Sequence, residues 1–167
     1  MISKQVATQV LEQCLITGGD FAEIFEEDCI NNNLSLIDSK IENVLGGRTY
    51  GIGIRIFKGF NSVYAYTNDN SLASMLDTAK KAALALGKVD NEEKMVVINN
   101  SKPITNINPI KLYPNSVDYQ DKIKVMKTAY KSAKDYNSEI SQVSVGYLDK
   151  EQNILIANTE GLYVEDK

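Results

Sequence analysis

The chemistry open to this chain is narrowed first by a zero: none of its 167 residues is histidine. A Ser-His-Asp triad, a Cys-His pair and a histidine-ligated zinc are therefore excluded within it. Carboxylate, lysine or tyrosine chemistry remains, or no chemistry at all. The segment DFAEIFEED carries Glu23, Glu26, Glu27 and Asp28. A hard-cation loop wants its oxygens at tighter, Asp/Asn/Gly-punctuated spacing, so these four read as a solvated strand end. Cys14 falls in a helical pattern and Cys29 at a strand end, and two thiols make no disulfide framework. Lys122, Lys124, Lys127, Lys131 and Lys134 alternate with tyrosines, as a nucleic-acid surface would. At a net charge of −4 the reading adopted is a solvated helix face, with no nucleic acid as direct partner.

One stretch has spacing suited to recognition. Between Gly46 and Asp69, Ile52, Ile54 and Ile56 alternate with Gly51, Gly53 and Arg55. Lys58-Gly59-Phe60-Asn61 supplies a turn, and Ser62 to Thr67 alternates again, with Val63 and Ala65 on one face and Tyr64 and Tyr66 on the other. The spacing predicts a hairpin with an aliphatic side for a helix to cover and an almost bare opposite side. Glycine inside a strand marks either a twist or bulge, or a place where another backbone comes close. Gly51, Gly53, Arg55, Tyr64 and Tyr66 thus form a candidate peptide-contact or interface strand. Arg55 either holds an acidic group of a peptide or pairs with one of the acids from Glu23 to Asp28.

The elements that must position this strand can be read in order. Ser3 caps a helix with apolar Val6, Val10, Leu11, Cys14 and Leu15, ended by Gly18-Gly19. Asp20 to Asp28 is a strand, and Leu34 to Ile37 and Ile41 to Val44 flank the turn Asp38-Ser39-Lys40. After the organising hairpin, Leu72, Met75, Leu76, Ala79, Ala82, Ala83 and Leu86 make one helical stripe that Gly87 stops. Residues 88–114 hold all three prolines and read as a connector with one strand, Met95 to Ile98. Tyr119, Ile123, Met126, Tyr130 and Ala133 mark a third helix. Strands Gln142 to Leu148 and Asn153 to Asn158 follow, joined by the polar turn Asp149-Lys150-Glu151-Gln152.

The expected fold is α+β, a mainly antiparallel, twisted sheet with helices on one face. The expected divisions are 1–87, the 88–114 connector and 115–167, which begins like a second copy of the first and stops short. Such a break leaves sheet edges for another chain, and Gly51 to Ile56 and Asn153 to Asn158 are the segments expected there. No apolar run approaches membrane-spanning length, and the polar N-terminus lacks a signal-peptide centre, so the cytoplasm is the expected compartment.

GDFAEIFEED, LSLIDSKIENV, GIGIRIFKG and YAYTND together resemble the N-terminal domain of the TldD/PmbA family, and VSVGYLDKEQNILIANTEG resembles the family's next strands. GIGIRIFKG lacks the third glycine and following helix of a dinucleotide fingerprint. The YAYTND ending looks more like the TldD branch. The resemblance implies a cytoplasmic zinc metalloprotease, labelled in older usage a modulator of DNA gyrase, that acts on unfolded peptides as a homo- or heterodimer. It also implies a His-Glu-x-x-x-His zinc site C-terminal to the matched region, so no metal or catalytic residue transfers to this chain and zinc is expected only in the remainder. The role left is support of the dimer and of the peptide passage. The alternative is a free-standing protein- or peptide-interaction module; a complete lysine- or carboxylate-based hydrolase is a third reading. Whether the reading frame continues past Lys167 separates the first two.

Overall fold

The computed structural model describes residues 1–88, 94–99 and 109–167. Helix α1 (Lys4–Cys14) begins where the Ser3 hydroxyl accepts the Val6 N–H, and it buries Ala7, Val10, Leu11 and Cys14. Strand β1 (Phe21–Ile37) turns at Asp38 and Ser39, both at positive φ, into β2 (Lys40–Lys58). Gly59, also at positive φ, carries the chain into β3 (Asn61–Thr67). Helix α2 (Leu72–Leu86) starts on the Ser71 hydroxyl and stops at Gly87. A 3₁₀ turn (Pro114–Ser116) precedes α3 (Tyr119–Lys134), β4 (Ser144–Asn158) and β5 (Tyr163–Asp166). The sheet order is β3-β2-β1-β4-β5. The β2/β3 and β4/β5 pairs are antiparallel. Ala22 meets Thr159 and Asp38 meets Val143, so β1 and β4 are antiparallel too. The fold is α+β, with a mostly antiparallel twisted sheet whose helices pack on one face.

The chain forms two compact units, and β1, β2 and β4 each give one end to either. In the unit built from 1–28, 50–107 and 153–167, Ile52, Ile54 and Ile56 are fully buried with Ile24, Leu155 and Ala157. Helix α1 and the Met75, Ala79, Ala82, Ala83 stripe of α2 close this core, as the alternation and the alanine spacing require. Each of those isoleucines contributes about 1.5–3 kcal/mol through burial. In the unit built from 29–49 and 108–152, Leu34, Leu36 and Met126 form a smaller core flanked by Ile123, Tyr130, Val145 and Tyr147.

Four expectations need correction. The short strands 20–28 and 34–37 are one continuous β1, because Asn32 in the intervening run is buried and hydrogen-bonded and not left to turn. The polar run 149–152 lies inside β4, since Asp149 is paired with a helix lysine. Met95 to Ile98 joins no ladder, although Val96 and Ile98 are buried and Met95 and Val97 exposed as alternation predicts. Gly51 to Ile56 and Asn153 to Asn158 are interior, since β3 and β5 stand at the sheet margins. Much of the connector, 89–93 and 100–108 with Pro103, lies outside the described residues.

Gly161 closes the turn before β5 with φ +94, and a Cβ there would lie 2.6 Å from Asn99 Oδ1 and 3.1 Å from the Val97 carbonyl. Gly161→Ala combines strained backbone with a clash and should destabilise by more than about 1 kcal/mol. Thermal denaturation checks this, and an unchanged midpoint contradicts it.

Candidate functional site

The solvent face of the β2/β3 hairpin carries all five residues singled out from the sequence. The register pairs Gly53 with Tyr66, Ile54 with Ala65 and Arg55 with Tyr64. Since successive side chains alternate, Val63 and Ala65 pack on the core while Tyr64 and Tyr66 stand in solvent, 58% and 78% exposed. Gly53 is buried by a side chain of the same hairpin. A Cβ on it would meet Tyr64 Oη at 2.5 Å, so the phenol lies diagonally across the glycine. Arg55 places its guanidinium 5.6 Å from the centroid of the same ring. The contact found for Arg55 is thus a cation–π contact, where the sequence left open a peptide or an internal acid. Gly51 is half-buried beside the Thr67 carbonyl, and Phe60 at the hairpin tip is fully exposed.

The hairpin's exit is fixed by short polar contacts. Thr67 Oγ1 lies 3.1 Å from Ser74 Oγ and accepts the Asp69 N–H, and Asp69 accepts the Ser71 N–H at 2.8 Å. The Ser71 backbone hydrogen bond holds the Asp69 carboxyl below its usual range. The face therefore presents one guanidinium, two phenols and small residues on a rigid strand pair. That set can stack on, donate to and accept from a passing chain. It holds no nucleophile–base pair.

The acids of DFAEIFEED do not behave as a solvated group. Glu26 is 1% exposed, shares the inward parity of Ala22 and Ile24, and accepts the Ile2 N–H and the Tyr50 hydroxyl, each at 2.7 Å. Burial, reinforced by the Glu26 hydrogen bond, pushes the Tyr50 phenol up. Tyr163 donates to the Ile2 carbonyl at 2.8 Å, and burial pushes its phenol up to about 12. The carboxylate thus anchors the start of the chain. Cys14 is equally inert, its thiol pushed up by burial to about 12.

The second unit holds a polar cluster that was not foreseen. Lys122, expected on a solvated face, is 3% exposed and sits 2.7 Å from Asp149 Oδ2. Asn32 donates to Asp149 Oδ1 at 2.7 Å and to Asn115 Oδ1 at 3.1 Å, and accepts the Tyr119 hydroxyl at 2.6 Å. Burial alone pushes the Asp149 carboxyl up, but hydrogen bonds from Lys122, Asn32 and Tyr147 outweigh it and hold the carboxyl below its ordinary value. The Lys122 ammonium also lies 5.2 Å and 5.8 Å from the Tyr119 and Tyr147 ring centroids. The signals were present: Asp149 shares strand parity with Val145 and Tyr147, and Lys122 falls on the stripe of Tyr119 and Met126. With every partner internal, the cluster is a fold-specifying network.

Among the described residues no three His, Cys, Asp or Glu side chains assemble to hold a metal. No helix among them is long and apolar enough to cross a membrane.

The domain-1 model of the PmbA/TldA metallopeptidases matches residues 22–84, and the central-domain model of the same family matches 112–167. The chain is 26% identical over 156 residues to Metalloprotease MJ0996 of Methanocaldococcus jannaschii, covering 90% of this chain and 34% of that protein. It is 25% identical over 167 residues to a metalloprotease TldD homolog of Buchnera aphidicola, covering 99% and 34%. It thus spans about a third of these curated relatives. A crystal structure from Bacteroides thetaiotaomicron, assigned as a modulator of DNA gyrase, superposes with a TM-score of 0.72 at 19% identity, covering 99% of this chain and 39% of that one. TldE from Thermococcus kodakarensis superposes at 0.56 and 15% identity, covering 89% and 34%. At these identities the structures speak for the fold.

Proposed function

We propose, for a chain that matches the PmbA/TldD metallopeptidase family through its first and central domains, that it is the N-terminal, non-catalytic part of a zinc metalloprotease acting on unfolded peptides. The observation that carries the reading is the order of the two matches, first domain then central domain, in a chain without histidine. In it, residues 1–87 and 115–167 serve as successive parts of a supporting domain, and zinc is held by the remainder of a longer protein. The YAYTND ending of the hairpin favours the TldD branch. The compartment is the cytoplasm, and the protein works as a dimer with a family subunit.

The hairpin face is the part that meets the substrate. Arg55, Tyr64 and Tyr66 line one side of a strand pair on which the Tyr64 ring covers Gly53, so an extended peptide can lie over the exposed rings and be held by stacking and hydrogen bonds without sequence preference. A fluorescently labelled, unstructured peptide should bind this chain weakly, and Arg55→Ala with Tyr66→Ala should reduce the affinity by about tenfold while the circular dichroism stays unchanged. Equal binding by the variant removes the hairpin from the passage.

The rival reading, a stand-alone interaction module, draws on the same exposed tyrosines. The two part at the gene: a reading frame that ends at Lys167 favours the module, and one that continues into a His-Glu-x-x-x-His helix favours the protease.

A further inference from the structure

Helices α1 and α2 close the inner face of the first unit's sheet, leaving the outward residues of β1, β2 and β3 at or near solvent. On β1 these include Glu23 and Phe25, which alternate with the buried Ala22, Ile24 and Glu26. Two contacts fix where they lie. The Phe21 and Phe57 ring centroids are 6.0 Å apart, and the Tyr50 hydroxyl donates to Glu26 at 2.7 Å. Glu23 and Phe25 therefore run beside the Gly51 to Arg55 stretch of β2, with Tyr64 and Tyr66 on its far side. Tyr64 covers Gly53, but a Cβ on Gly51 would meet only the Thr67 carbonyl oxygen, at 3.9 Å. The strand is bare there, with Phe25, 37% exposed, and the exposed Tyr66 on the strands to either side.

Glu23 is half-buried, and among the described residues it has no hydrogen-bond or ion-pair partner. Glu27 shares its face but is already engaged within the chain. A carboxylate beside exposed rings suits a lysine or arginine, offering an opposite charge to the head and aromatic faces to the stem and the cation. The chain supplies its own example on this face. Arg55 lies 5.6 Å from the Tyr64 centroid, and it forms no ion pair with Glu23. The net charge of −4 adds a field that draws cations from further off.

We propose that this face selects cationic segments: a lysine or arginine of an unfolded peptide pairs with Glu23 while its apolar neighbours lie on Phe25 and Tyr66. This preference rests on the peptide reading of the hairpin. The rings hold any extended chain, and Glu23 adds a choice by charge.

Three fluorescently labelled, unstructured peptides, identical except for lysine, glutamine or glutamate at the variable positions, test it by anisotropy at low salt. The lysine peptide should bind about fivefold more tightly than the glutamine one, and the glutamate peptide most weakly; added salt should shrink the differences. Glu23→Gln should remove most of the lysine preference and Glu23→Lys should favour the glutamate peptide, with circular dichroism confirming the fold of each variant. Equal binding of the three peptides by the wild type would overturn the inference. A lysine preference left unchanged by Glu23→Gln would overturn it too, since the choice would then belong to the overall charge. The glutamine peptide keeps the two readings apart: bound without any charge preference, it overturns only the choice by charge, whereas no binding by any of the three overturns both.

Discussion

Replacing Lys122 with Met should destabilise the protein by about 3–5 kcal/mol, because the Asp149 carboxylate would stay buried without its ammonium. The ion pair is 2.7 Å long and its two side chains are 3% and 9% exposed, so solvent screening gives little relief. Asn32 and Tyr147 would remain as donors, but neither carries charge. The sign with pH follows from the lowered carboxyl of Asp149. Its stabilising contribution is fully present above the unfolded value, about 3.9, and is lost as pH falls through the folded value. In Lys122→Met burial acts unopposed by the ammonium and raises that carboxyl, so the variant should lose least relative to the wild type in acid. Changing both partners, Lys122→Met with Asp149→Leu, should recover part of the stability, because the stranded charge is gone while Asn32 and Tyr147 lose their acceptor. Urea denaturation of the three proteins checks the set. A single variant within about 1 kcal/mol of the wild type would mean that the pair is solvated.

The second large effect belongs to Glu26. Glu26→Leu suits the surrounding core but strands two buried donors, the Ile2 N–H and the Tyr50 hydroxyl. At about 1–3 kcal/mol for each orphaned group, the loss should total about 2–6 kcal/mol. Its location is as informative as its size. Protection of the amides in α1 should fall first, because Ile2 directly precedes the Ser3 cap of that helix. Uniform loss of amide protection across the first unit would show that Glu26 supports the core at large and not the chain's start. In the wild type, Tyr50 and Tyr163 also make this anchor sensitive to alkali. Their phenols are raised, so their contribution is whole below about pH 10 and is lost as pH rises through the folded value, about 12 for Tyr163.

These two sites mark where the sequence was hardest to read. The three helices and the organising hairpin were legible because apolar periodicity and end signals agree: Ser3 caps, Gly87 stops and Gly59 turns. The long strands were not. A polar run such as Asp149 to Gln152 looks like a turn to any rule that equates polarity with loops, and only the lysine across from it shows why the strand continues. Glu26 and Lys122 misled for a related reason: residue type suggested solvent, while parity and helical stripe placed each side chain inward. The five hairpin residues fell on the expected face, but the space above Gly53 is taken by Tyr64, which alternation alone does not reveal.

The central claim, that this chain is a supporting domain and that the zinc site belongs to the rest of a longer protein, is tested most directly by elemental analysis of the purified chain after dialysis at neutral pH. Its soft ligands are Cys14 and Cys29, both buried, Cys14 in the hydrophobic core and Cys29 beside the Asn31 amide, and borderline metals want accessible nitrogen or sulfur. The expected result is zinc far below one equivalent per chain. One tightly held zinc per chain, retained through dialysis, would place a metal centre within these residues and contradict the account.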